Sequence, residues 1–165
     1  MSQAAARVLL VCSGNTCRSP MAAALLRQVI AQEWPEQLGG VEVTSAGTGA
    51  VPDMPASEEA RAVMARHGLD LSGHRSRRLT ADMVRQATLI LTMTRGHLRE
   101  ILRLVPQARG KVFLLKYYPA GDEEPGPEHE VEDPIFQGLE KYEEVAADLE
   151  AAVRRVAAYL AEQDP

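Results

Sequence analysis

The sequence contains no long hydrophobic run, only one short basic stretch and only two cysteines. No segment approaches the roughly 20 apolar residues that a membrane-spanning helix needs, so we expect no membrane-bound form. The first residues, MSQAAARVLLVC, have no basic region ahead of the apolar one, so we also expect no signal peptide. Together these two absences predict a cytoplasmic protein.

Basic residues rarely cluster in this sequence, which argues against nucleic acid as a partner. The formal net charge is -5, and the one basic stretch is HRSRR at positions 74–78. Nonspecific binding to nucleic acid depends on a basic surface, so we expect no nucleic-acid partner. We interpret HRSRR as a solvated basic turn.

The two cysteines are too few for a scaffold built on disulfides, and a reducing compartment disfavours a structural bridge. Cys12 and Cys17 have no histidine or cysteine pair nearby in the sequence. They therefore cannot complete a structural zinc site of four ligands, and we expect no metal. A redox pair and a single catalytic thiol both remain open at this point.

Length and composition are those of one ordinary globular domain. The chain has 165 residues, of which 45% are hydrophobic and 25% are charged. A chain of this length buries most of the surface that its unfolded form exposes. We therefore expect a single domain over 1–165, with a flexible N-terminus at 1–6.

Apolar runs alternate with amphipathic segments, the order expected of a parallel sheet covered by helices. Pro20 is typical of the first turn of a helix, and Ser19 ahead of it is the expected N-cap. The sequence therefore predicts an α/β fold of three layers, in which a four-stranded, mainly parallel sheet has helices on both faces. The predicted strands lie at 7–12, 41–47, 87–93 and 111–115, and the predicted helices at 20–34, 57–67, 94–105 and 139–160.

Two loops are expected at the edge of the sheet where ligands bind. In open parallel sheets that edge is the one at the carboxyl ends of the strands. The loop after the first strand begins at Cys12, and the acidic segment 119–134 follows the fourth strand. We expect these two loops to converge although they are distant in the sequence.

The first of these loops carries the residues that suit phosphoryl transfer. Cys12 precedes a helix N-terminus and a cation, and both favour the reactive thiolate. Backbone N–H groups from Ser13 onward would surround an anion, and the planar guanidinium of Arg18 would grip two of its oxygens. Gly14 and Asn15 accept the positive φ angles that a tight loop needs. The spacing C-x5-R therefore predicts phosphoryl transfer to sulfur.

Four motifs together resemble the low-molecular-weight protein tyrosine phosphatases. They are VCSGNTCRSPMA at 11–22, SAG at 45–47, GHRS at 73–76 and the Asp-Pro pair at 133–134. The resemblance covers nearly the whole chain, and the combined pattern is far more specific than C-x5-R alone. It implies the phosphatase I-like form of the fold, no cofactor, and phosphorylated proteins as substrates.

The resemblance also implies the roles of the catalytic residues. Cys12 would be the nucleophile that forms a cysteinyl-phosphate, and Arg18 would bind the phosphoryl group with the loop amides. Asp133 would protonate the leaving group and then activate water, roles that a carboxylate on a nearby loop can fill. The remaining residues of the implied phosphate-binding loop are Ser13, Gly14, Asn15, Thr16, Cys17 and Ser19.

Supporting roles follow from the same resemblance. Ser19 would donate a hydrogen bond to the Cys12 thiolate, while Ser45 and His74 would hold the strained Asn15. Cys17 would be a guard that traps oxidised Cys12 as a reversible disulfide, although a purely structural role remains equally open.

The substrate is the point on which this sequence departs from the tyrosine-specific members. Those members commonly have a larger aliphatic residue at the position of Thr16, and aromatic residues around the active site. Here the segment TGAVPDMPAS at 48–57 has no aromatic residue, and Ile135 and Phe136 replace a frequent tyrosine pair. CSGNTCRSPMA resembles the bacterial branch that removes phosphate from arginine. We therefore expect protein-arginine phosphatase activity with Thr16 and Phe136 as specificity residues, and phosphotyrosine as the alternative.

Two remote alternatives are disfavoured by particular residues. Arsenate reductases on this fold need two further cysteines downstream, and this chain has none after Cys17. A non-catalytic phosphoprotein-binding module would have lost the nucleophile or the acid, yet Cys12 and Asp133 are both present. The other histidines match no motif and are interpreted as ordinary polar positions; they are His67, His97 and His129.

Overall fold

A computed structural model describes residues 6–119, 121 and 123–163. The expectation of a flexible N-terminus falls almost entirely on residues 1–5, which lie outside the described residues. The strands are β1 (Arg7–Cys12), β2 (Glu42–Gly47), β3 (Leu89–Thr92) and β4 (Val112–Leu114). They form one four-stranded sheet in the order β2-β1-β3-β4, and every pairing is parallel. The predicted α/β sheet is therefore confirmed.

Helices lie on both faces of this sheet. Alternate residues of β1 face opposite cores: Val8 and Leu10 belong to one hydrophobic cluster, and Leu9 and Val11 to the other. A continuous apolar run such as RVLLVC is what a strand with two covered faces requires. The α-helices are α1 (Arg18–Glu33), α2 (Pro35–Leu38), α3 (Glu58–Arg66), α4 (Ala81–Gln86), α5 (Arg95–Leu104) and α6 (Leu139–Gln163).

The first cluster is the larger, and it joins α1, α3 and α6 to one face of the sheet. Tyr142, Leu149 and Val153 of α6 are almost fully buried there. Helices α4 and α5 cover the opposite face through the buried side chains Val84 and Ile101. Among the described residues, no helix is long and apolar enough to cross a membrane.

The start of α1 differs from the prediction. The helix begins at Arg18, its N-cap residue is Cys17, and no side chain caps it. Ser19 is therefore not the N-cap, because it lies inside the first turn. Its hydroxyl instead contacts the sulfur of Cys12 and the side chain of Asn15.

Several short elements were not predicted. Helix α2 follows directly on α1, and α4 is a six-residue helix whose N-cap Thr80 accepts a hydrogen bond from the N–H of Met83. Short 3-10 turns lie at Pro106–Ala108 and Pro127–His129. Helices this short have too few turns to produce a periodic hydrophobic pattern.

Candidate active site

The loop between β1 and α1 surrounds the sulfur of Cys12 with hydrogen-bond donors. Cys12 is buried at the carboxyl end of β1, and its Sγ accepts a hydrogen bond of 3.3 Å from the N–H of Asn15. Ser19 Oγ lies 2.9 Å from the same sulfur. Because Ser19 Oγ accepts from Asn15 Nδ2, its own proton is free to donate to Cys12. The loop therefore places two hydrogen-bond donors and a helix N-terminus beside this sulfur.

Asn15 holds the loop in shape. It is fully buried in the left-handed region, with a φ of 57°. Its Nδ2 donates to Ser19 Oγ at 2.8 Å and to Ser45 Oγ at 3.0 Å, while its Oδ1 accepts from the N–H of Arg77 at 2.9 Å. Such a conformation costs a non-glycine residue free energy, so it persists only where surrounding contacts impose it.

His74 supports the same residue from the opposite side. Its Nε2 lies 2.7 Å from the carbonyl oxygen of Asn15 and therefore donates to it. Burial lowers the pKa of His74, which favours the neutral ring. The structure thus brings Ser45 and His74 into contact with Asn15, as the resemblance implied.

The end of β2 lies against the loop with no space between them. The N–H of Thr48 donates to the Cys12 carbonyl at 2.9 Å, and that of Gly49 donates to the Ser13 carbonyl at 3.0 Å. A Cβ atom at Gly47 would overlap the carbonyl oxygen of Ser13 and would lie 2.9 Å from the nitrogen of Asn15. Glycine is therefore required at position 47 by close approach.

Arg18 joins the loop to the acidic segment. Its side chain is buried, and its Nη1 donates to the Val131 carbonyl at 3.0 Å. Its Nη2 lies 3.5 Å from Oδ2 of Asp133, whose side chain is 47% exposed. The guanidinium is thus fixed on one edge by Val131, and the carboxylate beside it is accessible to a ligand.

The segment that carries Asp133 is anchored to β3 and α5. The N–H of Val131 donates to the Met93 carbonyl at 2.9 Å. Glu130 accepts hydrogen bonds of 2.9 Å from both the backbone N–H and the Nε of Arg95, and these bonds lower its pKa. This anchoring holds Asp133 beside Arg18.

A cavity of about 410 Å³ opens above Cys12. Its walls carry two carboxylates, three hydroxyls and one guanidinium, and within the described part of the chain they include no aromatic side chain. The lining residues are Cys12, Ser13, Gly14, Thr16, Cys17, Arg18, Thr48, Gly49, Glu100, Asp133 and Ile135. In the same part of the chain, no group of three or more His, Cys, Asp or Glu residues is placed to hold a metal.

The structure places Phe136 outside the lining of the cavity, and its role as a specificity residue stays a prediction. This side chain is 94% exposed and does not line the cavity, whereas its neighbour Ile135 does. Phe136 has a φ of 64° in a turn closed by a hydrogen bond from Gln137 to the Pro134 carbonyl. That turn directs the phenyl ring into solvent.

Cys17 lies near α6 as well as the cavity. Its Sγ is 3.1 Å from the hydroxyl of Tyr142 and 3.5 Å from that of Ser57. Burial and the contact with Cys17 raise the pKa of Tyr142. Both cysteines are free thiols in the structure, and a guard role for Cys17 remains a prediction.

Sequence reasoning missed two residues on α5. Glu100 lines the cavity, and it has no cationic partner within ion-pairing distance in the described part of the chain. His97 is buried, and its Nε2 lies 2.8 Å from Ser13 Oγ. Both residues could have been suspected from their place in the chain. Helix α5 begins at the carboxyl end of β3, so its first turns lie at the edge of the sheet where ligands bind.

The chain is similar to one family model and to several named relatives. The sequence model of the family described as "Low molecular weight phosphotyrosine protein phosphatase" matches residues 7–165. The probable low molecular weight protein-tyrosine-phosphatase EpsP of Ralstonia solanacearum is 41% identical over 146 residues, covering 88% of this chain and 90% of EpsP. The protein-arginine-phosphatase of Geobacillus stearothermophilus is 39% identical over 151 residues, covering 92% of this chain and 93% of that protein.

Solved structures show the same similarity. A YwlE arginine phosphatase superimposes with a TM-score of 0.84 at 33% identity, covering 96% of this chain and 97% of that one. That structure is of a cysteine-to-serine variant with a phosphorylated active-site serine. Relatives with both substrate names therefore match this chain at similar identity.

Proposed function

Because the chain belongs to the low molecular weight phosphotyrosine protein phosphatase family, we propose that it hydrolyses phosphoarginine in proteins through a cysteinyl-phosphate on Cys12. The observation that carries the proposal is the lining of the cavity above Cys12. Carboxylates and hydroxyls surround it, and the described residues contribute no aromatic wall.

The first chemical step transfers the phosphoryl group to sulfur. The Cys12 thiolate attacks phosphorus while Arg18 and the loop N–H groups bind the equatorial oxygens. The P–N bond breaks, its electron pair stays on the guanidine nitrogen, and protonated Asp133 delivers a proton to that nitrogen. The position of Asp133 beside Arg18 supports this role.

The second step returns the enzyme to its starting state. The Asp133 carboxylate takes a proton from water, and the resulting nucleophile attacks the phosphorus of the cysteinyl-phosphate. The P–S bond breaks, inorganic phosphate leaves, and the electron pair returns to Cys12 as the thiolate. The Ser19 and Asn15 donors around the sulfur favour that leaving group.

The cavity wall supports a cationic leaving group. A guanidinium is planar and positively charged and has hydrogen-bond donors only, so it needs acceptors and negative charge around it. Glu100 supplies the negative charge, since Asp133 is protonated before the first step, and Thr16 and Thr48 supply hydroxyl oxygens. The phenol ring of phosphotyrosine would instead gain from aromatic or aliphatic walls, of which Ile135 offers one.

Phosphotyrosine hydrolysis is the second candidate. The observation in its favour is the similarity to EpsP, whose name includes that activity and whose identity of 41% is close to the 39% of the protein-arginine-phosphatase. The phosphate-binding loop would serve both substrates, because it contacts the phosphoryl group they share.

The deciding experiment compares kcat/KM on matched peptides that carry phosphoarginine or phosphotyrosine. We expect the wild-type protein to favour phosphoarginine by at least about tenfold, and Thr16→Ile to reduce or reverse that preference by adding an aliphatic wall and removing a hydroxyl. A wild-type preference for phosphotyrosine would contradict the substrate assignment and leave the phosphatase assignment intact.

A charge substitution in the cavity gives an independent comparison. Glu100→Gln should lower kcat/KM for the phosphoarginine peptide by about fivefold to tenfold and change the phosphotyrosine value by less than about twofold. Glu36→Gln is the matched control, because Glu36 lies in α2 beyond the opposite end of α1 and does not line the cavity. Equal effects of Glu100→Gln on both peptides would exclude recognition of the guanidinium by Glu100.

A further inference from the structure

We propose that the Ser13 hydroxyl donates a hydrogen bond to a phosphoryl oxygen of the substrate, and that His97 is the positioning residue that orients it. The inference rests on the proposed function to the extent that a phosphoryl group occupies the cavity above Cys12. It does not depend on whether arginine or tyrosine carries that group.

The direction of the hydrogen bonds around His97 is determined by the backbone. The N–H of Thr94 points at His97 Nδ1 from 3.2 Å, and a backbone N–H can only donate. Nδ1 is therefore an acceptor, and the neutral ring carries its proton on Nε2. Nε2 lies 2.8 Å from Ser13 Oγ, so His97 donates to the serine oxygen.

The surroundings of His97 keep the ring in this neutral form. The side chain is only 4% exposed. Burial and the nearby positive charge of Arg18 lower its pKa to about 4, against an opposing effect of Asp133 and Glu130. At neutral pH the ring therefore has a single proton, and that proton points at Ser13.

Ser13 consequently has a proton to donate. Its oxygen accepts from His97, and the hydroxyl has no second hydrogen-bond partner among the described residues. The side chain is exposed and lines the cavity together with Cys12 and Arg18. The proton of this hydroxyl is therefore available to a ligand in the cavity.

A phosphoryl group is the part of the substrate that can accept this bond. A guanidinium has donors only, whereas the phosphoryl oxygens carry negative charge and lone pairs. Ser13 directly follows the nucleophile, so its hydroxyl would supplement the loop amides and Arg18. No motif of the sequence pointed to this contact, because His97 is separated from Ser13 by 84 positions.

The test combines four variants with two probes, p-nitrophenyl phosphate as substrate and inorganic phosphate as ligand. Ser13→Ala should weaken phosphate binding and lower kcat/KM by about tenfold, the effect of losing one hydrogen bond to a charged group. His97→Ala should produce a similar loss, and the double variant should be no worse than Ser13→Ala alone. His97→Gln should recover most of the activity, because its amide can donate near the position of Nε2.

Controls separate this contact from folding and from the proposed function. His67→Gln changes a histidine at the end of α3, outside the cavity, and should match the wild type. If His97→Ala fails to fold, Ser13→Ala alone decides, since Ser13 is exposed and its hydroxyl has no partner other than His97 among the described residues. Wild-type phosphate affinity in Ser13→Ala, or multiplicative losses in the double variant, would overturn the inference.

Different results would show that the proposed function, and not the Ser13 contact, is wrong. Turnover that persists in Cys12→Ala would remove the cysteinyl-phosphate mechanism, while a loss of phosphate affinity in Ser13→Ala would still support the contact. Absence of phosphate binding to the wild-type protein by calorimetry would overturn both.

Discussion

Asn15 and His97 are polar residues buried beside Cys12, and each is held in one state by its neighbours. Asn15 has a positive φ and hydrogen bonds from both ends of its amide. His97 bridges the N-cap residue of α5 and the phosphate-binding loop. Buried polar groups of this kind contribute to stability only while every partner remains in place.

His97 should make the protein less stable at mildly acidic pH. Its pKa is lowered from 6.5 to about 4 in the folded protein. Between these values the unfolded chain binds the proton and the folded chain does not, so the free energy of unfolding falls as the pH falls. Urea unfolding at about pH 7 and at about pH 5 gives the free energy of unfolding at each pH. The decrease from the higher to the lower pH should be about 2 kcal/mol larger for the wild type than for His97→Gln.

Both proteins share every other titrating group in that comparison, including His74, whose pKa is also lowered. The difference between the two losses therefore isolates His97. An identical loss in wild type and His97→Gln would show that the ring is not held neutral in the folded state.

The candidate site is formed where three elements meet. The loop leaving β1, the end of β2 and the segment anchored to β3 and α5 converge at one edge of the sheet. The carboxyl ends of adjacent parallel strands necessarily lie together, so residues distant in the sequence become neighbours there. The geometry of the loop depends on how closely β2 approaches it.

Gly47→Ala should disturb the phosphate-binding loop, because the added Cβ would overlap the Ser13 carbonyl. We expect a loss of stability of about 1–3 kcal/mol and a fall in kcat/KM of more than about tenfold. Gly40→Ala is the matched control at the other end of β2, where an added Cβ meets nothing within 4 Å. Thermal unfolding and turnover of p-nitrophenyl phosphate measure both effects, and equal behaviour of the two variants would contradict the packing argument.

Elements with a strong local pattern could be predicted from the sequence. The run RVLLVC predicts β1 with the observed limits, because a strand covered on both faces must be apolar throughout. The N-cap of α1 was predicted wrongly. The capping rule expects the serine side chain to accept a hydrogen bond from a backbone N–H of the helix. The Ser19 hydroxyl instead contacts the sulfur of Cys12 and the side-chain amide of Asn15.

The whole molecule determines the parts of the site that local patterns cannot show. Convergence of the Asp133 segment on Arg18 could be predicted, because parallel-sheet topology implies it. The exposure of Phe136 depends on one positive φ angle, and the contact of His97 with Ser13 depends on the packing of α5 against β3. Neither feature produces a periodic hydrophobic pattern in the sequence.

The most direct test of the whole account is to find the phosphoryl group on the protein during turnover. Wild-type protein and Asp133→Asn are mixed with p-nitrophenyl phosphate, whose leaving group departs without a proton from Asp133. The mixtures are rapidly quenched in denaturant and analysed by peptide mass spectrometry, with Cys12→Ala as the control. One phosphoryl group should appear on the peptide that contains Cys12, and it should accumulate in Asp133→Asn because the base for the second step is missing. Turnover in Cys12→Ala, or a phosphoryl group on any other residue, would contradict the account.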